Sequence, residues 1–381
     1  MAVFLILGVG RQGLAAAWDL QQHGGDLILA DQHAPTLRQA LDKLQLPDDR
    51  GHLIDFSDEG TVRGLMQQAD GALFAADYAL NVALTRLAIE TNTYAVDFGG
   101  NHDVVYQQHV LNDQARNAGI GIIPDAGLTP GLAGILVAGG VKSLDSAHSA
   151  RIRVGGLPQE PKPPLNYGLL FSVRGLTNEY LEESVVLSHG KREIRMPLTG
   201  LETVQFRGNV FEAFYTSGGT STLPETFAGV LHTLDCKTLR YPGHAELMRF
   251  AFDIGLMGDE PLPINGDRVN PRQVFETLLA KHLPHDPPDT TWLRVRVEGK
   301  QGNTPMDAIY EMVDQFDETT GLTSMQRTTA FPASILLKML VDGEFAEDGV
   351  LYQERVVDAQ RLMKRLAERG VIIDFELTPS V

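Results

Sequence analysis

Three glycines near the start of the chain have the spacing of a turn that binds phosphate groups. The segment GVGRQG spans residues 8–13; it follows the apolar run Val3–Leu7, which predicts a buried strand, and precedes the helical pattern Leu14–Leu20. The first glycine permits a tight turn, the second leaves room for a pyrophosphate, and the third allows close packing of a helix whose free N–H groups attract anions. A purely structural turn is the alternative. The predicted dinucleotide cradle comprises Gly8, Gly10, Arg11, Gln12 and Gly13.

An acidic residue ends the second predicted strand, where the adenosine ribose of a dinucleotide would lie. Asp31 directly follows the apolar segment Leu27–Ala30. A carboxylate at this position accepts hydrogen bonds from the ribose hydroxyls and repels a 2′-phosphate. The next residues, Gln32 and His33, offer no cationic pocket for a phosphate, so we expect NAD rather than NADP as the cofactor. A solvated loop carboxylate is the alternative.

Three further residues stand where later apolar runs end. Ala75, Asp97 and Asp125 each close such a run, and in doubly wound sheets ligands bind along the edge where the strands end. Glycines follow both aspartates, at Gly99 and Gly127, and would let the backbone come close to a ligand. We predict that Ala75 and Asp97 border the cofactor and that Asp125 contributes to the site. Helix capping or turn formation is the alternative for the two aspartates.

The elements that must hold these residues alternate in type. Over residues 1–125 short apolar runs alternate with helical patterns, which predicts an α/β fold with a doubly wound, Rossmann-type parallel sheet. Near residue 150 the pattern changes to alternating or β-branched segments such as Arg151–Val154 and Leu293–Val297, which favour an antiparallel sheet in a second domain. The tail Ala333–Arg369 returns to helical spacing.

Composition excludes several classes of protein. The 381 residues include 49 Asp and Glu against 32 Lys and Arg, and the resulting charge of −17 would repel nucleic acid and anionic membrane surfaces. Cys236 is the single cysteine, so no disulfide can form within the chain, and the 11 histidines lack the paired spacing of a metal site. No targeting or membrane-spanning segment is recognisable. We therefore expect a cytoplasmic enzyme that binds no metal.

Several ordered motifs resemble a known family over nearly the whole chain. They are AVDFGG (95–100), DAGLTPG (125–131), RVGGLP (153–158), LTNEY (176–180), KTLRYPGH (237–244) and RTTAFPAS (327–334). These segments resemble saccharopine dehydrogenase-type proteins, and within them the L-lysine 6-dehydrogenase branch. One departure is the absence of a cysteine near the edge of the Rossmann sheet, where some saccharopine-forming relatives carry one.

The resemblance implies an architecture and a reaction. It implies a Rossmann domain at residues 1–125, an inserted α+β domain for substrate binding and dimerisation at 126–332, and C-terminal helices at 333–381 that return to the Rossmann domain of a homodimer. Members of the family make or oxidise a C–N bond and move hydride to or from nicotinamide. We expect oxidative deamination of the side-chain amine of L-lysine. The alternatives are a saccharopine or carboxynorspermidine dehydrogenase, which handles a secondary amine, and a non-catalytic NAD-binding redox sensor.

The reaction needs a base, because an ammonium group with a pKa of about 10.4 has no lone pair to drive hydride departure. His244, which follows a Tyr-Pro-Gly turn, has a suitable unperturbed pKa near 6.5; a structural role is the alternative. Asp125 or Glu179 could activate the water that hydrolyses the imine. Tyr180 and Lys191 are alternative proton carriers, since desolvation can lower the pKa of a lysine.

The carboxylate of an amino acid calls for a guanidinium that binds it with two hydrogen bonds. The resemblance makes Arg240, within KTLRYPGH, the first candidate. Arg174 and Arg327 are the second choices. A single such anchor suits lysine, whereas the three carboxylates of saccharopine would need a distinctly cationic site.

Overall fold

The chain folds into two units in a computed structural model that describes residues 1–380. The first unit comprises Met1–Gly139 and Gln326–Val371, and the second comprises Gly140–Met325 and Ile372–Val381. Residues 126–139, which the sequence analysis assigned to the second domain, are part of the first unit. No helix within residues 1–380 is both long and apolar enough to cross a membrane.

The first unit is built on a seven-stranded sheet in which all paired strands are parallel. Numbered in chain order, the strands are β1 (Val3–Leu7), β2 (Asp26–Asp31), β3 (Gly51–Leu53), β4 (Gly71–Phe74), β5 (Tyr94–Asp97), β6 (Gly121–Ile123) and β17 (Gly349–Val350). Their order across the sheet is β3-β2-β1-β4-β5-β6-β17. The direction of winding therefore reverses between β1 and β4, which is where a doubly wound sheet binds its ligand. This arrangement confirms the predicted fold class.

The central strands of this sheet are continuously apolar because both of its faces are covered there. Phe4 through Leu7 of β1 are all buried, and so is every residue of β4. The helices of the unit are α1 (Arg11–Gln22), α2 (Ala34–Leu44), α3 (Glu59–Met66), α4 (Asn81–Thr91), α5 (His102–Val110), α6 (Asn112–Ala118), α7 (Leu132–Lys142), α12 (Ser324–Val341), α13 (Gln353–Val356) and α14 (Ala359–Ala367). The end of α7 and the start of α12 belong to the second unit.

The second unit contains a nine-stranded sheet and a separate hairpin. The sheet strands are β7 (Ser146–Pro158), β8 (Ser184–Ser188), β9 (Lys191–Arg195), β10 (Glu202–Phe206), β11 (Asn209–Phe214), β12 (Thr233–Arg240), β15 (Asp289–Gln301), β16 (Thr304–Gln315) and β18 (Ile373–Pro379). The hairpin is β13 (Leu262–Ile264) with β14 (Asp267–Val269), and the helices are α8 (Val173–Glu179), α9 (Leu223–Thr226), α10 (His244–Asp253) and α11 (Pro271–His282).

The second sheet is mixed, whereas the sequence pattern predicted an antiparallel one. β7 pairs with β12 in parallel, and the other paired strands are antiparallel. The parallel pair is possible because β8–β11 and α9 lie between the two strands in sequence and form a long crossover. Residues 373–379 also differ from expectation, since they pair with β16 as β18 instead of continuing the C-terminal helices.

Candidate functional site

The three glycines of the first turn differ in what surrounds them. Gly8 has a φ of +93°, and a Cβ there would lie 2.6 Å from the Ala75 carbonyl oxygen. A Cβ on Gly13 would lie 1.9 Å from the Gly8 carbonyl oxygen. A Cβ on Gly10, by contrast, would meet no atom within 4 Å. The protein itself therefore requires Gly8 and Gly13, whereas Gly10 faces open space, as a residue against a bound pyrophosphate would.

The helix that follows the turn points its N-terminus at this open space. α1 begins at Arg11 directly after Gly10, and no side chain caps it. Its first N–H groups have no acceptor within the helix, and the helix dipole gives this end a partial positive charge. Gln12, half-buried in the first turn, has an Oε1 atom that lacks a hydrogen-bond partner within residues 1–380. The uncapped end of the helix fits a dinucleotide phosphate, whereas the Gln12 amide oxygen can only accept a hydrogen bond, for example from a hydroxyl group.

Asp31 is tied to the same turn by hydrogen bonds that the sequence did not predict. It ends β2 and is nearly buried. The backbone N–H of Val9 donates to its Oδ2 at 2.8 Å, and that of His33 donates to its Oδ1 at 2.8 Å. Each carboxylate oxygen has a second lone pair. Asp31 can therefore stabilise the glycine turn and still accept a hydrogen bond from a ribose hydroxyl.

We expect Asp31→Asn to reduce the preference for NAD over NADP by about 10- to 100-fold, or about 1–3 kcal/mol. The substitution removes the charge that repels a 2′-phosphate but keeps one acceptor oxygen near the turn. The ratio of kcat/KM for the two cofactors measures the effect. Asp26→Asn, at the start of the same strand, is the matched control and should leave the ratio unchanged. Equal kcat/KM values for NAD and NADP in the unmodified protein would contradict the prediction.

Ala75 and Asp97, at the ends of β4 and β5, have different roles in the structure. Ala75 follows β4, and its carbonyl oxygen and Cβ pack against Gly8 and Gly13, so it forms a wall of the glycine turn. Asp97 is fully buried at the end of β5. Its Oδ1 accepts from the backbone N–H groups of Gly99 (2.7 Å) and Asp125 (3.1 Å). Asp97 is thus placed to hold two loops together, and it has no exposed surface for direct contact with a cofactor.

A buried glutamine on α5 also contacts the Asp97 carboxylate. Gln108 Nε2 donates to Asp97 Oδ2 at 2.7 Å and to Thr85 Oγ1 at 3.0 Å. Burial raises the pKa of Asp97, and these hydrogen bonds partly oppose that rise. Sequence reasoning missed Gln108, because nothing in the pattern of a helical segment indicates a side-chain contact with a strand end.

Asp125 is held in an unusual backbone conformation after β6. Its φ is +57°, in the left-handed region that few non-glycine residues adopt. A Cβ on Gly99 would lie only 1.3 Å from Asp125 Oδ1, so the glycine is required for the carboxylate to occupy this place. Gln353 Nε2 donates to the Asp125 carbonyl oxygen at 2.7 Å. Strained backbone held by several partners is typical of functional positions.

In the second unit four predicted site residues meet where α8 and β12 end and α10 begins. Gly243, with a φ of +93°, makes the turn from β12 into α10 and thereby brings the strand's last residue, Arg240, near the first helical residue, His244. Arg240 Nε donates to Tyr180 Oη at 3.2 Å, and its Nη2 donates to Glu179 Oε2 at 3.1 Å. Tyr180 Oη also lies 2.9 Å from His244 Nε2.

The carbonyl group of Leu165 determines which atom donates and which accepts in the hydrogen bond between Tyr180 and His244. His244 Nδ1 lies 3.1 Å from the Leu165 carbonyl oxygen, which can only accept. Nδ1 must therefore carry the proton, Nε2 must accept, and the Tyr180 hydroxyl must donate to it. Burial, assisted by the charge of Arg240, lowers the pKa of His244 to about 3. In this conformation His244 is a neutral member of a hydrogen-bond chain, and the structure does not favour it as the general base.

Burial and the neighbouring polar groups together set the charge states of the other members. Arg240 is 2% exposed, stacks on the Tyr167 ring at 4.7 Å and remains protonated. Burial raises the pKa of Tyr180 to about 12, so this hydroxyl keeps its proton at neutral pH. The Glu179 side chain is 30% exposed, and desolvation raises its pKa although Arg240 opposes the rise. Glu179 is therefore the member of the cluster that solvent reaches.

Three predicted residues lie outside this cluster. Lys191 is exposed at the start of β9. The Arg174 side chain is 56% exposed and forms ion pairs with Asp259 and Glu276. Arg327 belongs to α12 in the first unit, where Nη2 donates to the Arg369 carbonyl oxygen at 3.5 Å. No three His, Cys, Asp or Glu side chains within residues 1–380 are grouped as metal ligands would be.

We expect the contribution of His244 to the free energy of unfolding to fall as the pH decreases from 6.5 toward 3, because His244 is protonated more readily in the unfolded chain than in the folded one. One such proton contributes a slope of about 1.4 kcal/mol per pH unit. Urea denaturation at several pH values should show that His244→Gln differs from the unmodified protein by the loss of this slope, whatever the other titrating groups contribute to both proteins. The exposed His282 provides the control, since His282→Gln should leave the slope unchanged. Identical slopes in all three proteins would contradict the prediction.

Comparisons with known proteins place the chain in a family. The sequence model described as the saccharopine dehydrogenase C-terminal domain matches residues 127–371. Saccharopine dehydrogenase [NADP(+), L-glutamate-forming] from Pyricularia oryzae is 21% identical over 242 residues, which cover 59% of this chain and 52% of the relative. The chain therefore spans about half the length of this curated relative.

A solved structure shares the fold. Apo saccharopine dehydrogenase (L-Glu forming) from Saccharomyces cerevisiae aligns over 99% of this chain and 100% of its own, with a TM-score of 0.81 at 17% identity. The family match covers well over half of the sequence, and the shared fold agrees with it. The chain therefore belongs to the saccharopine dehydrogenase family.

Proposed function

We propose that this chain is an NAD-dependent dehydrogenase that acts on the CH–NH bond of an amino acid, and that its substrate is L-lysine or a close analogue. The observation that carries the proposal is the pairing of Arg240 with the partly exposed Glu179 in the second unit. A guanidinium and a carboxylate side by side match the carboxylate and the ammonium group of an amino acid.

The glycine turn supports the choice of cofactor. Gly10, the first N–H groups of α1 and Asp31 would hold the dinucleotide by its pyrophosphate and its adenosine ribose. When bound, the nicotinamide ring supplies an acceptor for hydride. The carboxylate of Asp31 supports NAD rather than NADP, although the name of the Pyricularia oryzae relative specifies NADP(+).

The protein's own groups would bind the substrate and move its protons. Arg240 would anchor the substrate carboxylate in exchange for its present contact with the Glu179 carboxylate, because the guanidinium is nearly buried and already donates to that side chain. Glu179, whose pKa is raised by burial, and Asp125, fixed after β6, are our candidates for accepting a proton from the amine or from the hydrolytic water. Tyr180 and His244 would act as positioning residues that hold the Arg240 side chain in place.

A second candidate function is oxidation of a secondary amine, as in a saccharopine or carboxynorspermidine dehydrogenase. The names of the relatives from Pyricularia oryzae and Saccharomyces cerevisiae favour this alternative. The cluster described above contains one buried guanidinium that is already paired with a carboxylate. The three carboxylates of saccharopine would need more positive charge than Arg240 alone provides, which is why we prefer lysine.

Initial rates with purified protein test the proposal directly. L-lysine, saccharopine and carboxynorspermidine should be compared with NAD and with NADP at pH 7 to 10. We expect L-lysine with NAD to produce NADH and ammonia, and faster at alkaline pH, where more of the amine is neutral. NADH or NADPH from saccharopine or carboxynorspermidine but none from lysine would replace our proposal with the alternative.

A further inference from the structure

A cleft in the first unit collects polar side chains that the proposed function does not use. Its volume is about 430 Å³, which is within the range of sites for small molecules. The cleft lies beside the edge strand β17, and its polar lining consists of His109, Asn112, Arg116, Glu347, Tyr352 and Arg355. Three strands stand between β17 and β1 in the sheet, so this cleft is separate from the glycine turn.

The side chains that line the cleft carry a net positive charge, whereas the net charge of the whole chain is negative. Arg116 and Arg355 face one acidic residue, Glu347, in a protein whose net charge is −17. The ion pair between Arg116 and Glu347 is long, at 4.0 Å, and both side chains are more than half exposed. Such a pair contributes little stability, so the Arg116 guanidinium can exchange this partner for a carboxylate or phosphate group of a ligand.

The wall of the cleft is organised by stacked side chains. The His109 and Tyr352 rings stack with centroids 4.0 Å apart and planes inclined by 12°, and the Arg355 guanidinium lies 4.3 Å from the centre of the Tyr352 ring. Asn112 Oδ1 accepts from the backbone N–H of Val350 at 3.1 Å and so holds β17 beside α6. These contacts restrain the guanidinium before any ligand arrives, which reduces the entropy lost on binding.

One atom in this wall lacks a partner. His109 Nδ1 is buried and has no hydrogen-bond partner within residues 1–380. Burial lowers the pKa of His109 to about 4, and the charge of Arg355 adds to the effect, so the ring is neutral near pH 7. A neutral imidazole nitrogen without a proton can accept a hydrogen bond from a hydroxyl group or an ordered water molecule.

The segment that lines the cleft also holds a candidate catalytic residue. Gln353 lies between Tyr352 and Arg355 in sequence, and its Nε2 donates to the Asp125 carbonyl oxygen at 2.7 Å. A ligand that contacts Tyr352 and Arg355 therefore contacts the same short helix, α13, whose first residue bonds the Asp125 backbone.

We propose that this cleft is a regulatory site for a small organic anion that carries at least two carboxylate or phosphate groups, and that its occupancy alters turnover through Gln353. Two arginines provide for two anionic groups. The effect on turnover rests on the proposed function, whereas the binding itself does not.

Calorimetric titration of the full chain without substrate tests the binding. The probes are citrate and inorganic pyrophosphate, which each carry at least two anionic groups, and the variants are Arg116→Gln and Arg355→Gln. We expect at least one probe to bind, and either variant to weaken it by tenfold or more. Arg38→Gln, an equally exposed arginine on α2, controls for net charge and should bind as the unmodified protein does. Binding of citrate alone would indicate a carboxylate ligand, and binding of pyrophosphate alone would indicate a phosphate ester. Absence of binding, or equal binding by all variants, would overturn the proposal.

Kinetic measurements test separately whether occupancy of the cleft alters turnover. The probe that binds should change KM or kcat of the unmodified protein by at least twofold, and Gln353→Met should still bind it but lose that response. If no substrate is turned over, the Kd for NADH is measured with and without the probe instead, so a failure of the proposed function is distinguishable from a failure of this inference. A bound probe that changes neither turnover nor the Kd for NADH would refute the coupling.

Discussion

Gly10→Val should lower the affinity for NAD by at least 100-fold while leaving the fold intact. A Cβ on Gly10 meets no protein atom within 4 Å, so the valine side chain would occupy space that only a ligand fills. A 100-fold loss corresponds to about 2.7 kcal/mol, which a steric clash with the pyrophosphate readily exceeds. Fluorescence titration with NADH measures the affinity, and thermal unfolding without cofactor measures the stability.

Valine variants of two other glycines serve as controls for this experiment. Gly64, in α3, also has no atom within 4 Å of an added Cβ, so Gly64→Val introduces the same side chain elsewhere in the unit and should leave NADH binding unchanged. Gly13→Val should destabilise the protein itself, because its Cβ would lie 1.9 Å from a backbone oxygen. If Gly10→Val bound NADH normally, the glycine turn could not be the phosphate site.

Arg240→Ala should reduce kcat/KM for an amino-acid substrate by about 100- to 1000-fold. Truncation of one partner of a buried charge pair costs roughly 2–5 kcal/mol, and here it removes the proposed carboxylate anchor as well. Arg240 donates to both Glu179 and Tyr180, so the variant also disturbs its neighbours. Steady-state kinetics with L-lysine measure the loss, and Arg174→Ala, which removes an exposed arginine, is the matched control.

A substrate without a carboxylate separates anchoring from structural support. 1,5-Diaminopentane has the amine of lysine but no carboxylate, so the loss of an anchor should affect it far less. We expect Arg240→Ala to reduce the ratio of kcat/KM for lysine to that for the diamine by at least tenfold. If both substrates lost activity equally, Arg240 would support the cluster without binding the substrate carboxylate.

Much of the first unit could be predicted because its signals are local. A continuous apolar run, a glycine turn and a helical pattern lie within residues 3–20, and each imposes its own geometry on the backbone. The end of β2 at Asp31 was likewise predicted, and β6 ends at Ile123, two residues before Asp125. The mixed second sheet could not be predicted in the same way, because the pairing of β7 with β12 joins residues more than 80 positions apart.

The roles of individual side chains depended on contacts that no sequence spacing encodes. His244 has a suitable unperturbed pKa for a base, yet burial beside Arg240 lowers that pKa to about 3. Asp97 ends a strand as a ligand-binding residue would, yet its carboxylate is enclosed by backbone donors and Gln108. Lys191 follows a glycine turn, yet it is exposed and outside the cluster.

The sequence by itself determined the fold of the first unit, the glycine turn and the family, because these depend on residue types repeated at short, regular intervals. Only the tertiary structure decided which polar groups meet, which are buried, and hence which carry charge. Desolvation and hydrogen bonding depend on what surrounds a side chain from every direction, and those neighbours come from distant parts of the chain. Glu179, Tyr180, Arg240 and His244 form one cluster for that reason, whereas Arg174 remains at the surface.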